Sequence, residues 1–210
     1  MDQAYERELN VLFGEDPVTS AAPDLSPEQR LRLVLRLFES SGALPGRFGD
    51  KQVAKGLVHA VSSGHSDDLT YLTDSKLDEV LRLRVIAAMK LVFKDCFAPR
   101  CTPHLAHLDE KSPNPLNSTC YMWWEHTPLF GRPGIPEYKN IDAAAIDVMR
   151  DSLRIPSVAV QEASLHGLGH WVPEYPAVAI PIIDDYLANQ NIARPELVTY
   201  AKRARAGMIN

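Results

Sequence analysis

Cysteine is scarce in this 210-residue sequence, with only Cys96, Cys101 and Cys120. The count is odd, and the start, Met1-Asp2-Gln3-Ala4-Tyr5-Glu6-Arg7-Glu8, has no apolar secretory core. Together these argue for reduced thiols in a cytoplasmic protein rather than a disulfide framework. Long apolar runs are missing too. The longest, Tyr175 to Ile183, is far short of the ~20 residues that span a bilayer, so no membrane partner is expected. No period-2 run of β-branched residues occurs, and no Asn-Gly or Asp-Gly hairpin signal, so no strand is predicted. A Gly-rich phosphate loop, a nucleophile elbow and a Cys/His pair with an orienting group are all lacking. Positive charge is not in excess: the formal net charge is −5, which speaks against nucleic acid as a partner. The basic clusters Arg30/Arg32/Arg36, Arg82/Arg84/Lys90/Lys94 and Lys202/Arg203/Arg205 read as solvated helix faces.

What is present is helical periodicity. Hydrophobic residues at 45% and charged residues at 23% are an ordinary globular balance. A short helix over 3–13 and a Pro/Ser/Ala connection fill residues 1–25. Ser26-Pro27-Glu28-Gln29 is a helix start with a capping box and proline at the first helical position. Leu31, Val34, Leu35 and Phe38 then fall on one stripe, with Gly42 as a stop. Asp50 is placed as the cap of the next helix, which ends at Gly64, and a helical turn is expected from Asp67 to Leu72. The strongest helix runs from Leu77 to about Phe97 and is apolar on most sides, the pattern of a buried helix. Residues 98–115, rich in proline, are expected to be loop. A helix from Leu116 to Thr127 follows, then Ile141–Leu153 capped by Asn140, Ser157 to His170, Pro176 to Asn189, and Pro195 to about Gly207.

This gives an all-α chain of eight or nine helices. It divides into an N-terminal helix and connection (1–25) and one helical domain (26–210) with a loop-rich insertion at 98–140. Val158-Ala159-Val160-Gln161-Glu162-Ala163-Ser164-Leu165-His166-Gly167-Leu168-Gly169-His170-Trp171 resembles the second helix of a HEAT-like repeat, and Ala177 to Leu187 the first helix of the next. The resemblance is good over 141–206, loose over 50–97, and fails over 98–140. Leu116–Trp124 and Gln161–Trp171 are also similar to stretches of uncharacterised bacterial proteins. The resemblance implies an α-α superhelix of antiparallel helix pairs that binds a protein partner, and it brings no catalytic residue or cofactor.

Four groups of residues bear on chemistry. Cys96, Cys101, His104 and His107 have zinc's preferred donor types, but Cys96 falls on the apolar stripe and fits a buried structural cysteine. Glu162, His166 and His170 stand at i, i+4 and i+8, where two histidines can share a metal and a carboxylate can serve as ligand or base. The residue after His166 is Gly167, so the zincin base is missing. Gly167 and Gly169 each cost a helix about 1 kcal/mol relative to alanine, which close helix packing would explain. Finally, Trp123, Trp124, Glu125 and His126 are candidate binding residues, since two adjacent rings are both buried only on a central helix. The expected function is therefore non-enzymatic protein binding, as a bacterial immunity, inhibitor or adaptor protein contacting its partner over Trp123 to Glu137 and the nearby loop before Leu116. The alternative is a metal-dependent hydrolase or zinc protein built on one of the histidine sets.

Overall fold

Ser26 opens the first well-formed helix as its sequence requires. Its hydroxyl accepts from the Gln29 N–H at 3.3 Å, while the Gln29 side chain accepts from the Ser26 N–H at 2.9 Å. A computed structural model describes residues 3–14, 25–63, 65–66, 68–189, 192 and 194–209. The connection over 15–24, the stop expected at Gly64 and the start expected at Asp67 lie outside these residues. Among the described residues the chain is all-α, and no helix is long and apolar enough to cross a membrane.

In chain order the α-helices are α1 (Gln3–Phe13), α2 (Pro27–Glu39), α3 (Leu44–Arg47), α4 (Asp50–Val61), α5 (Glu79–Leu91), α6 (Ala98–Arg100), α7 (Leu116–Tyr121), α8 (Trp123–His126), α9 (Lys139–Ser152), α10 (Val158–Trp171), α11 (Pro176–Leu187) and α12 (Pro195–Arg205). A 3-10 turn over Asp68–Thr73 precedes α5. Helix α5 packs between α2 and α9, α1 lies on α4, and α11 on α12. Helix α10 is the hub. It touches α7, α8, α9, α11 and α12, and only Val158, Gln161 and His170 along it are not buried.

Several starts and stops differ from expectation for local reasons. Gly49, not Asp50, holds the cap position of α4, and the Gln52 side chain accepts the Gly49 N–H at 2.9 Å. The Asp50 carboxylate is used elsewhere, accepting from Arg100 at 2.6 Å and from Asn114 at 2.9 Å. Asn140 does not cap α9, which starts one residue earlier; its amide donates to Glu79 at 2.8 Å. The long helix passes Leu91 into a π turn, Val92–Phe97, and continues to Arg100, so residues 98–100 are helix rather than loop. Pro99 lies in that last turn, and the helix stops one residue later at Arg100. Gly42 packs against this π turn, where an added Cβ would lie 3.1 Å from that of Asp95.

The predicted helix Leu116–Thr127 is two short helices, α7 and α8, with Met122 between them at ψ 6°. Helix α8 is central, packed on α4, α7 and α10. Both tryptophans are accordingly core residues, Trp123 at 0% and Trp124 at 3% exposure. Trp123 meets Phe38, Phe93 and Phe97 with ring centroids 5.5–5.8 Å apart, and Trp124 stacks on Phe93 at 5.9 Å. Neither ring is available as a contact anchor, which corrects the expected Trp123/Trp124 binding surface.

Candidate metal centre

The small residues of α10 set how near its neighbours come. A Cβ on Gly167 would stand 2.5 Å from Trp124 Cδ1 and 3.0 Å from Met149 Sδ, so α8 and α9 both rely on that position being bare. A Cβ on Gly169 would overlap Ile209 Cγ1 and lie 3.1 Å from the Ala204 backbone. The two glycines thus bring α8 and α12 close enough to α10 for their polar side chains to meet.

They meet at His166, whose side chain is 1% exposed. Its Nε2 lies 2.5 Å from Glu125 Oε1 of α8 and 3.2 Å from His170 Nε2. The third side of the triangle, His170 Nε2 to Glu125 Oε1, is 3.4 Å. Among the described residues this is a set of three potential metal-ligand atoms that converge. Tetrahedral zinc at about 2.0–2.1 Å from its ligands sets ligand atoms roughly 3.3–3.4 Å apart. Two sides of the triangle, 3.2 and 3.4 Å, are close to that length already. The third is drawn in by a hydrogen bond that a metal would replace.

The protonation states suit the same use. Burial pulls the His166 imidazole below its ordinary value, with His170 adding to the effect and Glu125 opposing it. At Glu125 burial pushes upward, but the hydrogen bond and charge of His166, together with His170, outweigh it and hold the carboxyl below the usual range. A neutral imidazole and an ionised carboxylate are the ligating forms.

Behind His166, Nδ1 lies 2.7 Å from the Tyr200 hydroxyl of α12, which lies 3.1 Å from the Tyr121 hydroxyl of α7. Burial, with Tyr121, raises the Tyr200 pKa and keeps it a phenol. This chain can run in two directions. With Nε2–H given to Glu125, Nδ1 accepts from Tyr200. With Nε2 on a metal, Nδ1–H donates to Tyr200, whose proton turns to Tyr121. The second arrangement is the outer-shell support that metal-bound histidines generally have.

Glu162 is not part of this group, which corrects the i, i+4, i+8 set. Each four-residue step drifts ~40° around a helix, so Glu162 is turned off the line of the histidines. It accepts instead from His107, from Nδ1 at 2.6 Å and the backbone N–H at 2.9 Å. That pairing also dissolves the Cys96/Cys101/His104/His107 set. His104 Nδ1 lies 2.8 Å from the Thr102 hydroxyl. Cys96 is fully buried, its thiol pushed up to about 12 by burial, chiefly, and by Cys101. Of the four expected binding residues, only Glu125 reaches the centre. His126 is half-buried beside it, its pKa lowered by burial and by His65 against the pull of Glu125.

No known protein family, curated protein or solved structure matches the chain.

Proposed function

We propose that the protein is a metalloprotein of hydrolytic type, holding one zinc-class divalent ion on Glu125, His166 and His170. The observation that supports this most is the triangle of ligand atoms, with sides of 2.5, 3.2 and 3.4 Å. Imidazole and carboxylate are donors that suit zinc. Three protein ligands leave a fourth position, and Glu125 and His170, each 40% exposed at the side chain, leave that position to water. An open fourth position is the mark of catalytic rather than structural zinc, whose bound water ionises near neutral pH. The rival account is an empty Glu–His–Tyr hydrogen-bond network that fastens α8 and α12 to α10. Elemental analysis of protein purified without a histidine tag separates the two. About one zinc per chain, lost on Glu125→Gln, supports the metal centre, because such sites bind tightly. Less than about 0.1 zinc per chain, unchanged after incubation with zinc, rejects it.

A second reading has its own observation. Phe130, Ile135 and Val178 are exposed at 59%, 42% and 39%. Ile135 and Val178, with Pro133 and Pro136, line a groove of about 510 Å³. Exposed apolar surface of this kind suits a protein partner, in keeping with the HEAT-like resemblance and an inhibitor, immunity or adaptor role. In this reading the contact lies on Phe130–Pro136, beyond the buried tryptophans. A pull-down that loses its partner on Phe130→Ser and Ile135→Ser, in protein that stays folded, supports it.

A further inference from the structure

Helix α4 carries Lys51, Lys55 and His59 at i, i+4 and i+8 on one side. The three face a cavity of about 350 Å³ whose lining also includes His65, Ser118 and Thr119. All four cationic or protonatable side chains are exposed, and the His59 and His65 ring centroids are 5.7 Å apart. Among the described residues that line the cavity, none is acidic. Of the described carboxylates nearby, Asp50 is held by Arg100 and Asn114, and Asp68 by Arg30 at 3.0 Å.

Like charges at i, i+4 weaken a helix, so this arrangement does nothing for the fold. At His59 the imidazolium is disfavoured first by burial, then by His65, with Lys55 adding to it and Asp68 opposing. In a chain of net charge −5, such a concentration of cations fits an anionic ligand better than solvent. Two ammonium groups and two imidazoles share the lining with the hydroxyl residues Ser118 and Thr119. That suits a small, multiply charged oxyanion, which accepts hydrogen bonds all round.

We propose that this groove binds a phosphate dianion, free or as the phosphomonoester of a small alcohol. The site uses none of the metal-centre residues and stands or falls independently of that centre. The plain alternative is a solvated basic face.

Calorimetric titration of the full chain, metal-free and at low ionic strength, tests it with inorganic phosphate, glycerol 3-phosphate and, as a neutral control, glycerol. One-to-one saturable binding of phosphate or its ester is expected, with none for glycerol, and the tighter of the two identifies the source. Lys55→Gln should weaken binding about tenfold, the effect of losing one charge-assisted contact. Lys51→Gln combined with Lys55→Gln should abolish it, in protein whose melting temperature is unchanged. Glu125→Gln should bind phosphate as the wild type does. Absence of saturable heat from either anion up to about 10 mM, well past millimolar affinity, would overturn the proposal. So would binding that the lysine variants leave intact or that Glu125→Gln removes.

Discussion

Two carboxylate–histidine pairs touch α10, and they are alike in length but not in setting. Glu162 and His107 meet at 2.6 Å with side chains 2% and 6% exposed. Glu125 and His166 meet at 2.5 Å, with His166 1% but Glu125 40% exposed. The first pair is closed on every side: Glu162 also holds the His107 N–H, and the Tyr200 ring stacks over the His107 ring at 3.9 Å. The second is open at one edge and has a third nitrogen, His170 Nε2, beside it. Tyr200 serves both, sealing one pair with its ring and orienting the other with its hydroxyl. A pair buried at both ends is committed to structure. A pair with one end at the surface can exchange its proton for another cation.

The comparison breaks most readily on stability. Glu162→Ala leaves His107 buried without its partner and should cost about 3–5 kcal/mol, as when one side of a buried pair is removed. Glu125→Ala should cost about 1 kcal/mol or less, since its exposed carboxylate is screened by solvent. Chemical denaturation of the two variants decides this, and equal losses would mean that the second pair is structural too. Gly167→Leu probes the packing that brings α8 to the open pair. Its side chain collides with Trp124 and Met149, and overpacking of this kind should cost about 1–3 kcal/mol. A neutral result in the same unfolding assay would show that α8 has room to move.

The helices themselves were legible, because Leu31/Val34/Leu35/Phe38 and the residues of α9 to α12 repeat at the helical period, and α2, α11 and α12 open on proline. The glycine pair was legible as close packing, since two glycines inside a helix need a neighbour. The partner of His166 was not. In the sequence Glu125 stands beside the tryptophans and Glu162 beside the histidines, but 41 residues separate Glu125 from His166, and periodicity along one helix says nothing about what a different helix delivers. The π turn at Val92–Phe97 was likewise hidden, because it changes the hydrogen-bond ladder without changing the apolar pattern.

The open pair should also respond to acid. Burial holds His166 below its ordinary value of 6.5, so below that value the unfolded chain takes up the proton more readily than the folded one. The stability this neutral histidine contributes is fully present above about pH 6.5 and is lost as pH falls through the window beneath. Thermal unfolding between pH 7 and 5 should show a shallower decline in His166→Asn. His59 and His126, also lowered, supply the decline that remains. An unchanged slope would mean that His166 does not resist protonation in the folded protein.

The smallest effect is expected at the shared tyrosine. Tyr200→Phe keeps the ring over His107 but removes the hydroxyl behind His166. Stability should change by about 1 kcal/mol, the worth of one hydrogen bond. Zinc affinity should fall about tenfold, the low end for losing an outer-shell partner. A loss of stability as large as that of Glu162→Ala would mean that the hydroxyl, not the ring, closes the first pair.

Whether the open pair and His170 hold a metal is decided by competition titration of zinc against a chromophoric chelator. Wild-type protein should take up one zinc ion. Glu125→Gln and His170→Ala should each weaken uptake by at least about tenfold, while His104→Ala, outside the centre, should not. Equal uptake by all four proteins, or none by the wild type, would mean that Glu125, His166 and His170 are not a metal site.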